Sequence, residues 1–284
     1  MAMSRYWRAE LNCDWSSNLL APDGIIIVQI VANDTVMNVF SQLDLKSVAL
    51  LLDVDGTIID IGPSPTEVQV SKALVGSLER LFARSGGALA LVSGRRIADL
   101  DRLFSPLELP SIGGHGAEMR LHDGKIFYWA KPLPPELRGR LANAVSIGPG
   151  IVVEDKDYSL ALHYRKAPDQ AEHLRRYVAA ARTEFSGEPT ELLLGKAMFE
   201  VKRPGINKGD SIRKLMTYAP FSGRTPVFIG DDVTDESVFE VLPGIGGKGF
   251  SVSRYFPGLT GVFKSPAQVR SALDLLASNG QARL

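Results

Sequence analysis

Two acidic motifs in the sequence each follow a short apolar run. The motif DVDGT at residues 53–57 follows VALLL, and the motif GDDVTDE at 230–236 follows VFI. Apolar runs of this length are typical of strands buried on both faces, and carboxylates at the ends of such strands offer the oxygen ligands that Mg²⁺ prefers. Of Asp53 and Asp55, one can attack phosphorus while the other acts as general acid and base. The alternatives are a solvated Asp-Gly turn and an acidic helix start.

Two further motifs offer groups that bind phosphate. Ser93 and Gly94 follow the apolar run 88–92 and precede a helical pattern, so a hydroxyl and backbone N–H groups meet at a helix N-terminus. Lys208 begins another predicted helix and supplies the positive charge that a transferring phosphoryl group needs. The alternatives are an ordinary helix cap at Ser93 and a solvated lysine at position 208.

The apolar periodicity around these motifs alternates between strand and helix. Strands are predicted at 48–52 and 88–92, and each is followed by a helical pattern, at 68–84 and 97–104. After residue 205 the alternation resumes with a helix, a strand and another helix. This order predicts an α/β fold with a parallel, doubly wound sheet flanked by helices, in which ligands bind at the loops after the strands.

The middle of the chain breaks this alternation. Residues 121–204 contain a hairpin-like sequence and the alternating segment 158–164. We therefore predict an inserted α+β cap at 121–204, within a discontinuous core formed by 45–120 and 205–284. Residues 1–44 show no clear period and are predicted to be an N-terminal extension with no assigned chemistry.

Charge and composition argue against several classes of partner. The sequence has 32 basic residues (lysine and arginine) and 32 acidic residues (aspartate and glutamate). It therefore has no net positive charge that would favour binding to nucleic acid or to an anionic membrane. The apolar run 25–31 is too short to span a bilayer and is predicted to be a strand. The N-terminus carries no recognisable secretory signal, and the single cysteine, Cys13, has no internal disulfide partner. The sequence therefore predicts a cytoplasmic protein.

In their order along the chain, the four motifs resemble the signature motifs of the haloacid dehalogenase (HAD) superfamily of phosphatases. The resemblance covers about residues 47–277. It implies a Rossmann-like core with a parallel sheet flanked by helices, plus an inserted α+β cap. It makes Asp53 the nucleophile and Asp55 the general acid and base.

The same resemblance implies where phosphate and metal bind. Ser93, Gly94 and Lys208 would hold the phosphate, and Lys208 would also take part in catalysis. The implied cofactor is Mg²⁺, and its implied ligands are Asp53, Asp55, Asp231 and Asp235. Of these, Asp55 would bind the metal through its backbone carbonyl. The role of Asp232 stays open between a contact with metal-bound water and support of Lys208.

A finer resemblance is to trehalose-6-phosphate phosphatases. It rests on SGR at 93–95, GGHGAEMR at 113–120, and the cap segments VEDK at 153–156, LHYR at 162–165 and FEVKRPG at 199–205. It implies Mg²⁺-dependent hydrolysis of trehalose 6-phosphate through an aspartyl phosphate, as the last step of trehalose biosynthesis, and suggests a trehalose-6-phosphate synthase as partner. The substrate-binding residues that it suggests are Arg95, His115, Glu118, Glu154, Lys156 and Glu200.

Other interpretations of these residues remain open from the sequence. The cap residues can be ordinary surface charges, and His115 and Glu118 can brace the loop that leaves the core. The substrate can be another sugar phosphate. A phosphosugar sensor that has the fold without catalysis is the alternative from a different functional class, although the complete acidic motifs speak against it.

Overall fold

The apolar runs form the central strands of a large sheet in the computed structural model, which describes residues 33–62 and 67–279. The strands of these residues are β1 (Val48–Leu52), β2 (Leu89–Val92), β3 (Ser111–Gly113), β4 (Glu118–Arg120), β5 (Ile126–Tyr128), β6 (Val152–Asp155), β7 (Ser159–His163), β8 (Glu191–Gly195), β9 (Met198–Lys202), β10 (Thr225–Gly230), β11 (Lys248–Val252) and β12 (Gly261–Phe263). The helices are α1 (Asn33–Ser41), α2 (Lys72–Arg84), α3 (Ile97–Phe104), α4 (Pro135–Ala142), α5 (Ala171–Glu184), α6 (Lys208–Leu215), α7 (Glu236–Val241) and α8 (Pro266–Ser278).

The larger sheet has the strand order β12-β11-β10-β1-β2-β3-β4-β5. Strands β12 to β3 are parallel, and β4 and β5 continue the sheet as an antiparallel hairpin. Strand β1 lies between β10 and β2, with Leu52 in register with Ile229. The residues that follow β1 and β10 are therefore neighbours at one edge of the sheet, as the sequence predicts.

Alternate residues of the central strands contact helices on opposite faces of the sheet. Leu50 and Leu52 of β1 belong to the apolar cluster that includes α1, α2, α3 and α8, whereas Ala49 and Leu51 belong to the cluster that includes α6 and α7. Both faces are therefore covered, which explains why these strands read as continuous apolar runs. Helix α2 starts four residues later than predicted, because the hydroxyl of Ser71 accepts the N–H of Leu74 and caps the helix there.

The structure corrects two of the predicted boundaries. Strand β5 belongs to the core sheet and not to the cap, since Leu121 is buried in the α6–α7 cluster and Phe127 packs against it. Helix α1 belongs to the core as well, because Val36 and Phe40 are buried in the α8 cluster. Residues 1–32 of the predicted extension, which include Cys13 and the strand predicted at 25–31, lie outside the described residues.

A second sheet, with the order β6-β7-β9-β8, is antiparallel and lies in the part of the chain between the two halves of the core. Residues from α4 and α5 form an apolar cluster with one face of this sheet, through side chains such as Leu160 and Val201. We call residues 133–202 the cap. None of the helices within 33–62 and 67–279 has the length and hydropathy of a membrane span.

Candidate active site

Asp53 lies directly after β1, and both of its carboxylate oxygens are bonded. Its N–H donates to the carbonyl of Ile229 at 2.9 Å, which continues the pairing with β10 for one residue. Thr57 donates to Oδ2 at 2.8 Å, and Lys208 donates to Oδ1 at 2.7 Å. The side chain is buried, so these two donors replace water around the carboxylate.

The turn after Asp53 depends on a glycine. Gly56 has φ +88°, and a Cβ atom on it would lie 2.3 Å from Oδ2 of Asp231. Only glycine accepts this conformation and this close approach together. The sequence DVDGT therefore brings the end of β1 against the acidic motif that follows β10.

Asp53, Asp231 and Asp235 form a buried acidic cluster. Each offers one carboxylate oxygen, and these oxygens all lie within 4.8 Å of one another. Lys208 bridges two members of the cluster, since its Nζ also donates to Oδ1 of Asp235 at 2.7 Å. Burial tends to lower the pKa of Lys208, but Asp235 and Asp53 outweigh burial and raise it, so the lysine carries its charge at neutral pH.

The carboxylates of this cluster are short of positive charge. Burial raises the pKa of Asp53 well above its usual value; Lys208 opposes this rise, while Asp235 and Asp231 add to it. Burial also raises the pKa of Asp231 against the opposing effect of Lys196. Crowded, buried oxygen ligands with raised pKa values are suited to a hard divalent cation such as Mg²⁺. The donor set therefore fits the predicted metal.

Asp232 and Asp235 also shape the loop after β10. Oδ2 of Asp235 accepts the N–H groups of Asp231 and Asp232 at 2.9 and 3.0 Å, and Oδ1 of Asp232 accepts the N–H of Val233 at 2.7 Å. These bonds form a capping box at the turn before α7. Within the described residues no bond joins Asp232 to Lys208, so the predicted support of Lys208 has no contact there, and the predicted contact with metal-bound water stays a prediction. The capping of this turn is a role that the sequence did not predict.

The predicted phosphate loop lies at the end of β2, beside the acidic cluster. Ser93 is buried, and its hydroxyl accepts the N–H of Arg95 at 3.1 Å. The guanidinium of Arg95 holds the carboxylate of Asp55 through two hydrogen bonds of 2.7 and 2.6 Å. Asp53, Asp55, Ser93, Gly94, Arg95 and Lys208 all line one cleft. The carboxylate of Asp55 points to Arg95 and is not part of the acidic cluster.

The opposite wall of this cleft comes from the cap sheet. Glu154 faces Ala161 on β7, and Ala161 faces Glu200 on β9, so the two carboxylates lie on one sheet face on either side of a small residue. Lys156 follows β6 and lines the cleft with both. The predicted sugar-contacting residues of the cap are thus brought together opposite the acidic cluster.

The carboxylates of Glu154 and Glu200 differ in how many of their oxygens accept hydrogen bonds from protein donors. The side chain of Glu200 is fully buried; Ser159 and Lys156 donate to its Oε1 at 2.6 and 3.2 Å, and His115 donates to its Oε2 at 3.1 Å. Burial tends to raise the pKa of Glu200, but Lys156 and His115 outweigh burial and lower it. Glu154 is a quarter exposed, and its Oε1 accepts no hydrogen bond from the described residues. Glu154 therefore has a free acceptor in the cleft.

His115 and Glu118 come from the same loop but lie in different places. His115 lines the cleft between Gly94 and Glu200, and its buried Nδ1 has no hydrogen-bond partner within the described residues. Glu118 does not line the cleft; its Oε1 accepts the N–H of Ile97 at the start of α3, at 2.7 Å. The structure thus favours substrate contact for His115 and the bracing role for Glu118.

Three functional contacts were not among the sequence predictions. Lys196, in the turn between β8 and β9, donates to Oδ2 of Asp231 at 2.7 Å and so joins the cap to the acidic cluster. Thr57 bonds Asp53, and its place within DVDGT could have indicated this. His163 bonds Glu154 at 3.1 Å. No motif marks Lys196, because its contact with Asp231 depends on how the cap lies over the core. His163 lies within LHYR at 162–165, but the sequence assigned it no role, because its bond to Glu154 depends on the pairing of β6 with β7.

Comparisons with known proteins point to one family for this chain. A family model described as trehalose-phosphatase matches residues 51–256. Over 237 residues the chain is 37% identical to a probable trehalose-phosphate phosphatase of Sinorhizobium fredii, covering 82% of this chain and 89% of that protein. Over 201 residues it is 40% identical to the trehalose-6-phosphate phosphatase of Escherichia coli, covering 70% of this chain and 75% of that protein.

The fold agrees as well. The C-terminal domain of the trehalose-6-phosphate phosphatase of Candida albicans superposes with a TM-score of 0.74 at 21% identity, covering 88% of this chain and 97% of that domain. The predicted HAD-type α/β fold is confirmed. Since the matching family model spans most of the chain and both relatives exceed 30% identity, this chain belongs to the trehalose-phosphatase family of phosphoric monoester hydrolases.

Proposed function

We propose that this chain hydrolyses trehalose 6-phosphate to trehalose and phosphate, with Mg²⁺ as cofactor and an aspartyl phosphate as intermediate. The observation that carries the proposal is a single cleft with two different walls. One wall holds the buried acidic cluster and Lys208, and the other holds the carboxylates and lysine of the cap. The first wall suits a phosphate with its metal, and the second suits a sugar with many hydroxyls.

Asp53, Asp231 and Asp235 would hold Mg²⁺, with the backbone carbonyl of Asp55 as the further ligand that the HAD resemblance implies. The fit rests on their burial, the closeness of their oxygens and the raised pKa values of Asp53 and Asp231. A bound Mg²⁺ supplies charge stabilisation for the phosphoryl oxygens during transfer.

Asp53 and Asp55 carry the chemical steps. A carboxylate oxygen of Asp53 forms a bond to phosphorus while the bond between phosphorus and the sugar oxygen breaks, and Asp55 gives its proton to that oxygen. Asp55 then takes a proton from the water that attacks the aspartyl phosphate, which releases phosphate and restores Asp53. Arg95 bonds both oxygens of Asp55 in this structure, so at least one of these bonds opens before Asp55 reaches the leaving group.

Lys208 and the loop after β2 hold the phosphoryl group. Lys208 keeps its charge at neutral pH and lies beside the nucleophile, with Nζ 2.7 Å from Oδ1 of Asp53. Ser93 adds a hydroxyl and Gly94 a backbone N–H from the loop before α3. A fixed cation and fixed donors stabilise the negative charge of the transferring group without reorganising water.

The cap binds the sugar. Oε1 of Glu154 accepts a hydrogen bond from a sugar hydroxyl, because Glu154 lines the cleft and this oxygen has no bond to the described residues. His115 lines the same cleft, and its ring forms part of the wall that faces the sugar. Lys156 keeps its charge, since Glu200 and Glu154 outweigh the opposing effect of burial on its pKa. Glu200, with both oxygens bonded by protein donors, fixes Lys156 and His115 in place.

The experiment that tests this function is phosphate release from trehalose 6-phosphate and from a panel of other sugar phosphates, with Mg²⁺ and after chelation. We expect a preference for trehalose 6-phosphate that is lost without the metal. Asp53→Asn should abolish turnover and leave the melting temperature near that of the wild type. Metal-dependent turnover of another ester would support the mechanism but show that the substrate is a different one. No turnover of any ester would favour the alternative of a phosphosugar sensor without catalysis.

The biological setting follows from the same proposal. Hydrolysis of trehalose 6-phosphate is the last step of trehalose biosynthesis, and a cytoplasmic location and a trehalose-6-phosphate synthase partner are the predictions that go with it. Co-purification with the synthase expressed in the same cell would test the partner.

A further inference from the structure

His163 contacts the cap carboxylate that has a free oxygen. Its Nε2 lies 3.1 Å from Oε2 of Glu154, and both side chains line the cleft. On the paired strands, Glu154 faces Ala161 and His163 faces Val152, so the imidazole reaches the carboxylate diagonally on the cleft side of the sheet. Because an ionised carboxylate only accepts hydrogen bonds, the imidazole is the donor.

Among the described residues, the hydrogen bond from His163 and the nearest approach of Lys156 both fall on one oxygen of Glu154. Lys156 Nζ is 3.9 Å from Oε2, the same atom that His163 contacts, while Oε1 accepts no hydrogen bond from the described residues. Burial tends to raise the pKa of Glu154, but Lys156 and His163 outweigh the effect of burial and lower this pKa. The carboxylate is therefore held charged, with its second oxygen available to a ligand.

Holding a glutamate in this way matters for binding. A free glutamate side chain loses rotamer freedom when it binds a ligand, and that loss weakens the binding. The neighbours of His163 across the sheet are apolar, Val152 on β6 and Met198 on β9. These neighbours offer the imidazole no competing hydrogen bond.

We propose that His163 is a positioning residue for the sugar: it fixes the carboxylate of Glu154 so that Oε1 accepts a sugar hydroxyl. The inference rests on the proposed function only in that the substrate is a sugar phosphate. In this proposal His163 makes no contact at the end of the cleft where the acidic cluster lies and the phosphate would bind. Its effect is therefore expected on sugar binding and not on phosphoryl transfer.

The test compares two esters, trehalose 6-phosphate and p-nitrophenyl phosphate, which has no sugar. We expect His163→Ala to raise KM for trehalose 6-phosphate about tenfold relative to KM for the aryl ester, the size typical of one hydrogen bond to a charged group, with a smaller change in kcat. His163→Gln, which places an amide N–H near the position of Nε2, should recover most of this loss. His173→Ala, at an exposed position of α5, is the matched control and should change neither ester.

A double-mutant cycle shows whether His163 acts through Glu154. In a Glu154→Ala background, His163→Ala should add less than about twofold to KM, because the carboxylate that it positions is gone. Full additivity, an equal loss on both esters, or no recovery by glutamine would overturn the proposal.

The two proposals can fail separately. If the wild type prefers a different sugar phosphate, trehalose 6-phosphate is replaced by that ester, and the same pattern is expected of the variants. If the wild type hydrolyses no sugar phosphate better than the aryl ester, both proposals are wrong.

Discussion

Replacing Lys208 by methionine tests whether the acidic cluster depends on a buried cation. Lys208 is 3% exposed and donates to Asp53 and Asp235 at 2.7 Å each. Methionine keeps much of the packing of the lysine stem but removes the charge. Asp53 and Asp235 would then be buried without the cation that bridges them, which is far less favourable than leaving them paired.

The size of the effect follows from this burial. Removing one partner of a buried ion pair lowers the free energy of unfolding by about 3–5 kcal/mol, which for a chain of this size lowers Tm by about 6–20 °C. Uptake of a proton limits the loss, because burial, Asp235 and Asp231 raise the pKa of Asp53 even against Lys208, and the variant lacks that opposing lysine. We therefore expect a larger loss at neutral than at acidic pH.

The assay is thermal unfolding of the wild type and of Lys208→Met, with and without Mg²⁺. Lys214→Met is the matched control: it lies on the same helix, is exposed, and places its ammonium 4.1 Å from the ring centre of Trp129, so its loss should cost no more than about 1 kcal/mol. Saturating Mg²⁺ should recover part of the Tm of Lys208→Met, while turnover stays about 10²–10³-fold below the wild type. Equal Tm values for the two variants without metal would refute the reasoning.

Three further predictions concern the same cluster. In the folded protein the pKa values of Asp53 and Asp231 are raised above their usual 3.8, so these groups add stability to the metal-free protein as the pH falls through the folded values towards 3.8. The increase in Tm caused by Mg²⁺ should therefore become smaller over that pH range. Calorimetry that shows a larger increase at lower pH would contradict this. Gly56→Ala should cost about 1–3 kcal/mol more in chemical unfolding than Gly223→Ala, which also has positive φ but open space around it; equal costs would argue against the contact with Asp231. Lys196→Ala should tighten Mg²⁺ binding about two- to fivefold by calorimetric titration, since the half-exposed lysine and the metal compete for Asp231; weaker binding would be the contrary result.

The acidic cluster was predictable because one rule of sheet geometry links sequence to space. Parallel strands place their carboxyl ends at one edge, so residues after β1 and β10 meet if those strands are neighbours, and they are. The distance along the sequence between Asp53 and Asp231 does not matter to this argument. Only the pairing of the two strands had to be assumed.

The contacts between cap and core could not be predicted from the sequence. Lys196 reaches Asp231 and His115 reaches Glu200 only because the cap sheet lies over the ends of the core strands. Neither pair is marked by spacing or by apolar periodicity. The resemblance to a family indicated that Glu200 and His115 face the substrate, but it did not show that both oxygens of Glu200 are already bonded by the protein.

The domain boundaries were misplaced for a related reason. A hairpin such as β4–β5 has the same local pattern whether it extends the core sheet or begins a new one, and only the burial of Leu121 and the packing of Phe127 decide between them. Helix α1 likewise has no strong period of its own. Its place in the core follows from the packing of Val36 and Phe40 against α8 and β12.

The pKa values of the carboxylates are shifted in opposite directions on the two walls of the cleft, and under the proposed function this difference separates metal binding from sugar binding. In the core, burial and mutual repulsion raise the pKa values of Asp53 and Asp231, so added positive charge is favourable there. In the cap, Lys156 and a histidine lower the pKa values of Glu154 and Glu200, whose charge is already balanced. A divalent cation therefore gains more at the core wall than at the cap, where Glu200 is bonded through both oxygens and only Oε1 of Glu154 has no donor among the described residues. Groups of one chemical type, set apart by their surroundings, thus acquire different roles in one cleft.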